Sequence, residues 1–136
     1  NQEDNFFKRN NIKNRFYDFE KTLLKLNSKV KKEIYGKKTI FAYGSPTKAS
    51  LLLLRSRLDR KIIKNSFEDN LLKCNKYIPG TDIKIINTKN MKLNSNSVII
   101  ILAWNFSKEI ERRLKNQNVK KTKLFIPLPK LIIKKI

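Results

Sequence analysis

The sequence predicts an α/β domain, a mostly parallel sheet with helices on both faces. Three observations lead there. Short apolar runs alternate with amphipathic stretches whose apolar residues recur every three or four positions. One run, Val98 to Leu102, is apolar throughout, as a strand covered on both faces should be. A length of 136 residues, 40% of them hydrophobic, suits one domain with one core.

The elements follow in order. Phe16, Phe19, Leu23, Leu26, Val30 and Ile34 mark one face of a helix over Ile12 to Tyr35. Gly36 stands where a helix C-cap wants a glycine. Thr39 to Tyr43 is a β-prone run, broken by Gly44-Ser45-Pro46. Thr47 can cap the next helix, Ala49 to Leu58. Lys61 to Phe67 reads as a second strand and Asp69-Asn70 as a turn. Pro79-Gly80-Thr81 is a further turn, Ile83 to Ile86 a short strand, and Lys89 to Ser95 a loop. Ser97 to Ala103 is the clearest strand. Asn105 can cap a helix whose buried face holds Phe106, Ile110 and Leu114, with acids early and bases late. Lys123 to Pro127 is a last core strand, and Leu131 to Ile136 an edge strand or tail.

Composition excludes several chemistries. One cysteine, Cys74, and no histidine rule out a disulfide framework within the chain, a zinc site of the usual Cys/His kind, and a Ser-His or Cys-His nucleophile pair. The longest apolar runs, Leu51 to Leu54 and Val98 to Ala103, are too short to span a bilayer, so no membrane partner is expected. No signal pattern is visible and the cytoplasm is the default compartment. The chain opens Asn1-Gln2-Glu3 without Met, which suggests a domain cut from a longer protein. The net charge of +21 invites a nucleic-acid reading. However, the lysines are spread along the whole chain and outnumber arginines 25 to 7, which favours compositional drift. Nucleic-acid binding beyond non-specific charge is therefore not expected.

Four segments could carry chemistry. Tyr43 to Ser50 joins the first strand to the next helix, where open α/β sheets bind ligands. Gly44 would let a backbone approach a ligand, Ser45 offers a hydroxyl and Lys48 a mobile cation, a set that suits a phosphate. The segment is neither G-x-G-x-x-G nor a Walker loop. An ordinary strand–helix turn explains it equally well. Asp69 and Asn70 could accept hydrogen bonds from ribose hydroxyls, or simply form a turn. Tyr77 to Thr81 is a rigid turn that implies no function alone. Trp104 and Asn105 directly follow the strongest strand, and could stack on and hydrogen-bond a base or sugar, or serve as core and cap.

In order, these segments resemble one family, the C-terminal domain of C-methyltransferases that act on nucleotide-linked deoxysugars. Its pattern runs roughly G-Y-G-A-P-A-K-G-N-T-L-L-N, D-D-N-P-x-K-Q-G-x-x-x-P-G-T-x-I-P-I, L-x-L-A-W-N-F, then F-I-x-P-x-P. This chain has Ala42 to Ser50 with Leu51 to Leu53 behind it, Glu68 to Ile85 without a gap, Ile101 to Phe106, and Phe125 to Pro129. The similarity spans about Phe16 to Pro129. It departs at Ala49-Ser50 (family Gly-Asn), Leu71 (Pro), Asn75 (Gly) and Lys84 (Pro). The Ala49 methyl group would limit a ligand's approach to the helix start.

The resemblance implies a Rossmann-like single domain over residues 12–136, with 1–11 an extension or the remnant of a preceding domain. It implies no catalytic residue, metal or cofactor on this chain. S-adenosylmethionine and zinc would belong to central and N-terminal domains elsewhere, and the donor-binding domain would be a partner. The sugar nucleotide would lie between domains, touching Tyr43, Gly44, Ser45, Lys48, Asp69, Asn70, Trp104 and Asn105. The alternatives are a stand-alone module for a phosphorylated ligand and a basic nucleic-acid-binding protein.

Overall fold

The computed structural model describes residues 2–117, 119 and 121–136. Strands β1 (Thr39–Tyr43), β2 (Ile63–Glu68), β3 (Tyr77–Ile78), β4 (Ile83–Asn87), β5 (Ser97–Ile101), β6 (Lys123–Ile126) and β7 (Ile132–Lys135) form one seven-stranded sheet in the order β3-β4-β2-β1-β5-β6-β7. Pairing is parallel from β4 through β6 and antiparallel only at the two edges. The sheet is thus mostly parallel, as the alternating pattern predicts.

Helices α1 (Gln2–Tyr35) and α2 (Ala49–Arg55) cover one face and α3 (Ser107–Asn116) the other. Strand periodicity divides the core between them. Ile40 and Ala42 of β1, with Val98, Ile100 and Leu102, meet Leu23, Leu26 and Val30 of α1 and Leu52 and Leu53 of α2. The alternate residues Phe41, Tyr43, Ile99 and Ile101 meet Ile110 and Leu114 of α3. All five residues of β5 are buried, which explains its unbroken apolar run.

Helix α1 begins at Gln2, ten positions before the expected Ile12. Residues 8 to 18 are exposed, so that stretch has no buried face to set an apolar period. Extending an existing helix costs far less than nucleating one, and α1 simply propagates past the edge of the core. Phe16 on the predicted stripe is 56% exposed for that reason, with Arg55 stacked 5.9 Å over its ring.

Two helix ends also differ. Gly36 is not the left-handed residue after α1; Lys37 is, at φ 62. Lys38 N donates to Glu33 O and Lys37 N to Ile34 O, closing a Schellman turn. Helix α2 stops at Arg55 instead of Leu58 by the same device. Arg57 takes φ 57, Leu58 N donates to Leu53 O, and Leu58 tucks into the core. Neither expected N-cap forms. Lys48 occupies the N-cap of α2 without a side-chain bond, so Thr47 does not cap it. A 3-10 turn over Trp104–Phe106 precedes α3, whose N-cap is Phe106, so Asn105 does not cap it either. That turn swings Phe106 out to 62% exposure, off the buried face of α3.

The Pro79-Gly80-Thr81 turn is the loop of a hairpin between β3 and β4, an edge strand too short to leave a sequence pattern. Residues 131–136 supply the opposite edge, β7. No helix among the described residues is long and apolar enough to cross a membrane.

Candidate functional site

The chain runs from β1 outward through β2 to β4, then returns to lay β5 on the other side of β1. The C-terminal ends of β1 and β5 therefore mark the point where strand order reverses, the place open α/β sheets hold ligands. The two strands stay in register from Thr39↔Ser97 to Tyr43↔Ile101, so the segments after them emerge side by side.

Gly44 sets their spacing. It takes φ +92, and a Cβ there would lie 2.8 Å from the Ala103 Cβ. Its N–H donates to Phe67 O at 2.7 Å and its carbonyl accepts from the Ser66 hydroxyl at 2.7 Å. Leu102 N and Ala103 N both donate to Tyr43 O. The freedom of Gly44 is thus spent on close packing against Ala103, beneath the site, and not on ligand approach.

Three clefts open around the turn that follows, and Pro46 lines all of them. The central cleft, about 270 Å³, joins Thr47 and Lys48 to Ala103, Trp104, Asn105 and Phe106. Trp104 is half-buried there and Asn105 exposed. A second cleft, about 320 Å³, lies toward the β3 hairpin and is lined by Ser45, Thr47, Ser50, Lys73, Lys76 and Tyr77. The third, about 330 Å³, lies on the α3 side among Tyr43, Glu68, Asp69, Lys73, Glu109 and Arg113.

The third cleft is a connected polar network. The Asp69 carboxylate accepts from the Tyr43 hydroxyl at 3.1 Å, the Thr88 hydroxyl at 2.9 Å and Arg113 Nη1 at 2.5 Å. Arg113 also donates to Glu109, one turn earlier on α3. Burial, and then the Asp69 charge, pushes the Tyr43 phenol from 10.0 up to about 12. Ser45 Oγ donates to Glu68 Oε2 at 2.6 Å, and Lys73 Nζ to Ser45 O at 3.2 Å. Asn70 behaves as a turn residue. Its side chain accepts from Leu72 N to cap a 3-10 turn, and it lines none of the three clefts.

A family pattern described as the C-methyltransferase C-terminal domain matches residues 4–129. The chain belongs to the C-methyltransferase C-terminal domain family. C-methyltransferase NovU of Streptomyces niveus is 30% identical over 92 residues, 68% of this chain. The match covers 22% of that protein, so the chain corresponds to about a fifth of its length.

Two of the chain's departures from the pattern of C-methyltransferase C-terminal domains have visible structural reasons. Asn75 sits at φ 64, a conformation glycine favours and asparagine accepts best among the rest. Ala49 is fully buried in the core on the α1–α2 face, so its methyl group fills core and lines none of the clefts. Of the eight residues expected at the site, six line the clefts; Gly44 lies beneath them and Asn70 aside. The clefts also take in Glu68, Lys73, Lys76, Tyr77, Glu109 and Arg113, which the sequence does not mark as site residues. Arg113 had one readable signal, its spacing of four from Glu109 on a predicted helix.

Proposed function

We propose that this domain forms part of the binding site for a nucleotide-linked sugar in an S-adenosylmethionine-dependent C-methyltransferase. The observation that carries the reading is the central cleft. It places the Lys48 loop and the Trp104-Asn105 pair together at the switch point between β1 and β5. Trp104 offers a ring face to a base, Asn105 an amide to its edge, and Lys48 a cation. The neighbouring cleft with Glu68, Asp69 and Glu109 is rich in acceptors for sugar hydroxyls.

S-adenosylmethionine would supply the methyl group from another domain. The turn after β1 lacks the glycine spacing of a dinucleotide-type site, and one cysteine without histidine does not fit zinc. No group of three or more His, Cys, Asp or Glu among the described residues could hold a metal. In this reading the chain's residues bind and orient, and proton abstraction from the sugar belongs to the donor-binding domain. The Asp69 carboxylate already accepts from Tyr43, Thr88 and Arg113, which leaves it about one further lone pair for a ligand hydroxyl.

Titrating the chain with thymidine or uridine diphosphate while following Trp104 fluorescence tests the reading. A saturable change, lost in Trp104→Phe by calorimetry, is expected. No saturable binding at millimolar nucleotide would refute it.

A further inference from the structure

The three clefts differ in charge, and that difference divides a ligand among them. The cleft beside the β3 hairpin has two lysines in its lining, Lys73 and Lys76, and no acid. Thr47, Ser50 and Tyr77 add hydroxyl groups at its wall. The central cleft has one lysine and two aromatic rings, those of Trp104 and Phe106. The α3-side cleft holds three carboxylates, Glu68, Asp69 and Glu109, against Lys73 and Arg113. A multiply charged anion is repelled from the last and drawn to the first.

We infer that the cleft between the Ser45–Ser50 turn and the β3 hairpin is the anion subsite, in which Lys76 and Lys73 hold the phosphates of the ligand. This rests on the reading of the site as one for a nucleotide-linked sugar. The ring lies in the adjoining Trp104 cleft, and Pro46 and Thr47 form the wall common to both. Lys48 lines the ring cleft and not the anion cleft, so the cation in the strand–helix turn is not the principal phosphate ligand. Helix α2, seven residues long, contributes little dipole there. Ser45 is no phosphate donor, because its hydroxyl proton is engaged by Glu68. Lys73 stands at the border of both polar clefts, with its ammonium on the Ser45 carbonyl. Lys76 lines the anion cleft alone among the three, which makes it the discriminating residue.

Calorimetry on the whole chain separates this inference from the reading beneath it. The probes are uridine diphosphate, uridine and inorganic pyrophosphate, against wild type, Lys76→Gln, Lys73→Gln/Lys76→Gln, and the control Lys29→Gln on α1, which lines none of these clefts. A lost charge-assisted contact predicts diphosphate affinity about tenfold weaker in Lys76→Gln. Uridine affinity should be unchanged there, and pyrophosphate should compete in wild type only. Lys29→Gln, half-buried on α1, should match wild type, since it lines none of the three clefts. Diphosphate binding that is saturable in wild type and equally strong in both subsite variants overturns the subsite and leaves the nucleotide reading standing. An equal loss in Lys29→Gln assigns the effect to bulk charge and also overturns it. Absence of saturable binding in wild type removes the reading and the subsite together.

Discussion

Replacing Gly44 by alanine tests how the two halves of the central cleft are held together. Gly44 sits at φ +92, where an L-residue carries a backbone penalty of about 1–2 kcal/mol. The new Cβ would stand 2.8 Å from the Ala103 Cβ and 3.1 Å from its nitrogen. Relief by backbone movement is blocked, because Phe67 O and the Ser66 hydroxyl fix both sides of the Gly44 peptide. Overpacking of this kind costs about 1–3 kcal/mol. Gly44→Ala should therefore lose about 2–5 kcal/mol, a large part of the 5–15 kcal/mol typical of a domain. Urea unfolding followed by circular dichroism measures it. Adding Ala103→Gly removes the atom that is struck, and should restore the steric part while leaving the backbone part. A Gly44→Ala protein within about 0.5 kcal/mol of wild type, the range of an uneventful surface change, would refute this account of the packing.

Other outcomes follow from the same geometry. The Tyr43 phenol should titrate near 12 where a free tyrosine titrates at 10.0, read from tyrosinate absorbance; the stability it adds is complete below pH 10 and fades as pH rises toward 12. Tyr43→Phe should abolish that late titration and cost about 0.5–1.5 kcal/mol, as for a part-buried hydrogen bond whose acceptor keeps other partners. Lys37→Gly should stabilise the chain by about 0.5–1 kcal/mol in thermal unfolding, because the left-handed strain it relieves exceeds the entropy glycine adds to the unfolded chain. Lys134 on β7, aided by Lys115, holds the Glu111 carboxyl below its ordinary range, so the anchorage of β7 on α3 should weaken in acid as pH falls through that depressed value; Glu111→Gln should flatten this part of the pH profile.

The sequence was most readable where burial dictates the run of residue types. β5 is buried throughout and reads as an unbroken apolar run, and α3 shows its burial through Ile110 and Leu114. Ends were less readable. Lys37 and Arg57 take left-handed turns that their side chains do nothing to favour; the adjacent packing of Leu58 and the paired carbonyls impose them. The two-residue β3 has no period to read, so the Lys76 wall of the site was invisible. The adjacency of Lys48 and Trp104 rests on the pairing of β1 with β5, which brings the segments after both strands to one switch point. The engagement of Asp69 was not, since Thr88 and Arg113 reach it from distant segments of the chain.

Isotope-edited NMR of the chain titrated with uridine diphosphate tests the shared cleft most directly. The account predicts that the amides of Thr47, Lys48, Trp104 and Asn105 shift together with one saturable affinity. Shifts scattered over the lysines of α1, or confined to one loop while the other stays still, would contradict it.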